Sequence, residues 1–203
     1  MLFEQSEDKK EIAAILNARA DLFNGISEKL DEKELNQLFE RYKSACHVYM
    51  ERLKNIMAVT MVGAKISNDD QVKEAGLETV KELQEFMKNM LSDIYCMEVK
   101  VADVVSKRDS YMGDFKKNLA EQKARITLRT EAENLKKFVE EIQETPGKYA
   151  KFDIEGKSPR KVAKESKSVV ANFKKLVEKT WWDFTNSRSE ARTALQNEKQ
   201  NKR

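Results

Sequence analysis

The sequence predicts an all-α protein: three long amphipathic helices packed antiparallel in a coiled-coil bundle. Three observations carry that expectation. Only 6 Gly and 2 Pro occur among 203 residues, which leaves few places for the turns of a many-stranded fold. Charged residues make up 36% and aromatic residues 8%, a balance that suits long helices burying narrow stripes better than a thick globular core. Apolar residues also recur at alternating four-residue and three-residue spacings over long runs, the mark of a helical seam.

The first helix is expected from about Ser6 to Ile66. Its later part carries the seam Phe39, Tyr42, Cys46, Tyr49, Leu53, Ile56, Thr60, Gly63. Its earlier part carries Ile12, Ile15, Leu16, Phe23, Ile26 and Leu30. Asn24-Gly25 is a candidate bend between the two, with Ser27 or Asp31 available to cap a fresh start. Ser67-Asn68-Asp69-Asp70 then gathers turn and N-cap residues.

The second helix is expected to run from there to about Glu144, stopped by Thr145-Pro146-Gly147. Its seam reads Val80, Gln84, Met87, Leu91, Ile94, Glu98, Val101, Val105, Arg108, Met112, Phe115, Leu119, Gln122, Ile126. A continuous helix of roughly 75 residues would be on the order of 110 Å long. The third helix opens at Ser158-Pro159, an N-cap with proline at the first helical position. Its apolar face is Val162, Val169, Phe173, Leu176, Val177, Trp181, Phe184 and Leu195, and 196–203 form a polar, frayed tail of a single domain spanning 1–203. Such helices bury their stripes only against neighbours, so a second copy, in a homodimer, is the expected partner.

Composition also excludes functions. Cys46 and Cys96 are too few for a disulfide framework, and His47 is the only histidine, so a four-ligand zinc site is excluded. No catalytic constellation is present, which predicts a non-enzymatic protein without a cofactor. The first ten residues turn acidic and charged at once, unlike a secretory signal, and no apolar run approaches a membrane span. A cytoplasmic location is expected.

The net charge of +3 hides a polarised chain. Residues 147–175 hold nine basic and three acidic side chains, and residues 107–137 hold nine basic and five acidic ones. Residues 1–47, by contrast, hold seven basic and ten acidic. Clusters of this kind are ordinarily solvated helix faces. On a rigid elongated scaffold they could instead meet an anionic surface, each lysine contributing about 1 kcal/mol near a charged membrane. Nucleic acid fits less well, because no aromatic stacking platform or groove-reading motif accompanies the charge.

A long helix, a longer second helix ending in a basic tip, and a third helix resemble the BAR-domain superfamily. The likeness is greatest to the Chibby-interacting BAR proteins and weaker to the BAR domains of sorting nexins. It rests on Glu34-Leu35, Gln37, Phe39 and Tyr42 in the first helix, the short turn after Lys65, Glu98-Val99-Lys100-Val101 in the second, and Asn172-Phe173-Lys174-Lys175 through Phe184 in the third. The resemblance implies a crescent-shaped dimer, peripheral on membranes, that senses or generates curvature through anionic lipid. The tip would carry Lys148, Lys151, Lys157, Arg160, Lys161 and Lys164, and the concave stripe Lys116, Lys117, Lys123, Arg125 and Arg129. The alternative is a dimeric coiled-coil adaptor that binds another protein without lipid.

Overall fold

The computed structural model describes residues 5–109 and 111–149, with side chains from Lys10 onward. The described chain is all-helical: α1 is Gln5–Glu28, α2 Glu32–Ile66, α3 Asp70–Ser106 and α4 Gly113–Glu144, followed by a single 3-10 turn at Pro146–Lys148. The expected third helix, with its apolar face and basic residues, lies outside the described residues.

The first expected helix is two helices, and the break falls after Asn24-Gly25. Gly25 lies inside α1, and α2 crosses so close that a Cβ there would sit 2.8 Å from Leu38 Cδ1. α1 instead ends at Glu28, where Lys29 takes φ 58° and the Leu30 N–H reaches back to the Gly25 carbonyl at 3.1 Å. That is the left-handed stop glycine usually provides. Asp31 then opens α2 through a capping box: the Glu34 N–H donates to Asp31 Oδ1 at 2.8 Å, and the Asp31 N–H to Glu34 Oε2 at 3.2 Å.

α2 and α3 meet through the turn at 67–69, where the Gln71 N–H donates to the Asp69 carboxylate at 2.9 Å. Every residue of the expected α2 seam is buried, from Phe39 through Gly63. α1 runs antiparallel to α2, as the ion pairs Arg52–Glu11 at 3.1 Å and Arg41–Asp21 at 3.0 Å require. One apolar core joins all four helices, drawing Ile12 and Leu22 from α1, Ile56 from α2, Met87 and Met97 from α3, and Leu135 and Ile142 from α4. Inside it, fully buried Asp93 accepts from Arg19 Nε at 2.9 Å and from the Tyr42 hydroxyl, tying α1, α2 and α3 together.

The expected continuous helix from Asp70 to Glu144 is also two helices, folded back on each other as a hairpin. Two residues explain the break. The Asp109 carboxylate accepts from the N–H groups of Tyr111 at 3.1 Å and Met112 at 3.0 Å, and its carbonyl accepts from the Gly113 N–H at 3.2 Å. Gly113 lies so close to the end of α3 that a Cβ would sit 2.1 Å from the Ser106 carbonyl oxygen. A side chain there is sterically excluded. Arg108, a polar member of the expected seam, bonds the Leu30 carbonyl and so joins this turn to the one between α1 and α2.

Candidate lipid-facing surface

α4 turns Ala124, Leu135, Val139 and Ile142 into the core. With about 100° between successive helical residues, Phe115, Leu119, Gln122 and Ile126 fall on the opposite side. Among the described residues that side has no cover: Phe115 is 62%, Leu119 57% and Ile126 67% exposed, and Tyr111 in the preceding turn is 92% exposed. These large apolar side chains form one row along the outer face of the first half of α4.

Basic residues flank the row on both sides, Lys116 and Lys123 along one edge and Arg125 and Arg129 along the other. The two acidic residues between Gly113 and Thr130, Asp114 and Glu121, fall on the inward half of the helix. The outer half is therefore free of acid until Glu133. Among the described residues no ion pair holds Lys123, Arg125 or Arg129.

The other two lysines of the expected stripe are engaged. Lys117 is turned inward, its Nζ 2.5 Å from Asp103 Oδ1, and that hydrogen bond holds its ammonium above the usual lysine range. Burial would raise the Asp103 carboxyl, but hydrogen bonds from Lys107 and Lys117 outweigh it and hold the group below the usual range. Lys116 Nζ lies 2.6 Å from Asp109 Oδ2. That bond, with the two backbone N–H groups, brings Asp109 down to about 2.

Lys148 is exposed in the 3-10 turn beyond the far end of α4, its Nζ 5.1 Å from the Tyr149 ring centroid. Nineteen residues after Arg129, it is roughly 30 Å from the patch at 1.5 Å per residue. Lys151, Lys157, Arg160, Lys161 and Lys164 lie outside the described residues. The structure thus brings together Lys116, Lys123, Arg125 and Arg129, and sets Lys117 and Lys148 apart.

The apolar row is what sequence reasoning placed wrongly. Met112, Phe115, Leu119 and Ile126 belong to the expected seam and read as buried. The signal that could have exposed them is local: Asp109, a residue type whose side chain forms turns by accepting from the N–H groups that follow it, stands just before Met112-Gly113. Elsewhere, a cavity of about 160 Å³ between α2, α3 and α4 is lined by His47, Lys54, Met87, Glu131, Asn134 and Leu135. His47 Nε2 lies there 3.7 Å from Glu131 Oε2. Among the described residues no three His, Cys, Asp or Glu side chains converge as a metal site, and no helix is long and apolar enough to cross a membrane. Comparison with known protein families, with characterised proteins and with solved structures gives no match, so the chain's own residues carry the functional reading.

Proposed function

We propose that this chain is a peripheral membrane-binding scaffold that lies on anionic lipid through the outer face of α4. One observation carries the reading: an exposed row of Phe115, Leu119 and Ile126 between two basic edges, on an outer half of α4 that itself carries no acid before Glu133, with Asp109 beside Lys116 and Glu98 of α3 acting on Lys123 as the neighbouring carboxylates. An interfacial helix needs this composition, apolar side chains to enter the headgroup boundary and Lys or Arg to meet lipid phosphates. Charge argues against the competing covers. A second copy laid on this face would oppose basic edges to basic edges. The stretch 158–195 carries nine basic and four acidic residues and would meet the same repulsion.

At about 1 kcal/mol per basic residue near an anionic leaflet, Lys123, Arg125 and Arg129 together contribute about 3 kcal/mol. Shallow burial of the apolar row adds to this. The proposal rests on this face of α4 and needs no crescent. It is tested by cosedimentation with vesicles of phosphatidylcholine with and without phosphatidylserine. Binding is expected only with the anionic lipid, weakening as salt rises. Changing Lys123, Arg125 and Arg129 to Glu should lower it at least a hundredfold, and Phe115→Gln with Leu119→Gln about tenfold. If wild-type protein ignores anionic vesicles at low salt, the surface serves an acidic protein partner and the lipid reading fails.

A further inference from the structure

The apolar pattern of α3 runs in phase through a turn that the structure folds back. Val101, Val105, Arg108, Met112, Phe115 and Leu119 keep alternating spacings of four and three across residues 107–112, as they would in one helix. No proline occurs between Asp70 and Thr145, and the only glycines there are Gly76 and Gly113. The sequence is therefore compatible with a straight helix from α3 into α4. What folds it back is local: the Asp109 acceptors and the missing side chain of Gly113.

Straightening the turn would carry α4 off its seat on α2 and α3. Its inward face, Leu135, Val139 and Ile142, would then lack cover. The surface that fits that face is the vacated seat, and a second copy of this chain offers the same one. Every bond α4 makes to its seat can re-form between copies, including Lys117–Asp103, His47–Glu131 and Lys65 to the Glu144 carbonyl. The outer row and its basic edges take no part in the exchange.

We propose that residues 107–112 are a hinge through which α4 exchanges between two copies of this chain, giving a dimer in which α3 and α4 of each copy form one helix. Short hinges whose folded-back form depends on a few residues are where such exchange arises. The folded-back monomer is the dilute form of the wild type, since it makes the same α4 contacts without association.

Gly113→Ala sets a Cβ against the Ser106 carbonyl and favours helix through the hinge. It should move the monomer–dimer equilibrium toward the dimer at least tenfold, read by light scattering on the eluting protein, with helicity unchanged. Deleting residues 107–113 removes one heptad, keeps the spacing and abolishes the turn. That variant should elute at twice the mass of its own shortened chain, with full helicity. A zero-length carbodiimide cross-link between Lys117 and Asp103, applied to dimers of mixed light and isotopically heavy chains, should join light to heavy peptides. A deletion variant that stays monomeric or loses its helicity overturns the proposal. So does a dimer in which that cross-link joins only peptides of one chain.

Discussion

Removing the Asp93 carboxylate tests how the core is specified. Asp93 is 1% exposed and accepts from Arg19 Nε at 2.9 Å, from Arg19 Nη2 at 3.4 Å and from the Tyr42 hydroxyl. Burial and the adjacent carboxylate push the Tyr42 phenol far above its ordinary range, so it acts as a neutral donor. Asp93→Ala takes the paired carboxylate from a guanidinium whose side chain is only 11% exposed, and it takes from Tyr42 the acceptor its hydroxyl uses. Breaking a buried pair from one side costs about 3–5 kcal/mol, and a donor left without its acceptor about 1–3 kcal/mol. Because the two losses share one carboxylate they overlap, and about 4 kcal/mol is the expected total. For a domain stable by about 5–15 kcal/mol, that is a large fraction. Urea unfolding followed by circular dichroism measures it. The combined variant Asp93→Leu, Arg19→Met, Tyr42→Phe should recover at least half the loss, since no buried charge or donor then lacks a partner. A loss under about 1 kcal/mol for Asp93→Ala, with an unchanged denaturant slope, would refute the reasoning.

Three further outcomes follow from local geometry. Lys29→Gly should stabilise the protein by about 0.5–1 kcal/mol in the same urea assay, because Lys29 holds a positive φ that costs an L side chain about that much or more. Asp109 titrates near 2, below its ordinary 3.8, so its support for the turn is fully present above about pH 4 and is lost as pH falls through about 2. A carboxyl NMR titration should show that step, and Asp109→Asn should lack it. Burial pushes the Cys46 thiol up to about 12, so Cys46 should resist alkylation at pH 8 in native protein and react promptly once urea unfolds it, as mass spectrometry of the labelled peptide would show.

Sequence alone determined the helical class, the α2 seam from Phe39 to Gly63 and two of the element ends, the Ser67–Asp70 turn and the stop at Thr145-Pro146; for the start of α2 it offered Ser27 or Asp31, and the structure chose Asp31. Each is a local device, readable from a few neighbouring residues because capping and periodicity act within a turn or two of the chain. Only the tertiary structure decided that the stretch from Asp70 to Glu144 folds back. Its four-and-three spacing continues through residues 107–112, and periodicity cannot register the approach of Gly113 to Ser106 or the convergence of donors on Asp109. That one reversal determines which side of α4 meets the core. It turns Phe115, Leu119 and Ile126 outward between Lys123 and Arg129, and it sends Lys117 inward to Asp103. The basic residues of the surface were legible as composition. Their union with an apolar row was not, because a helix has an inside and an outside only once its neighbours are in place.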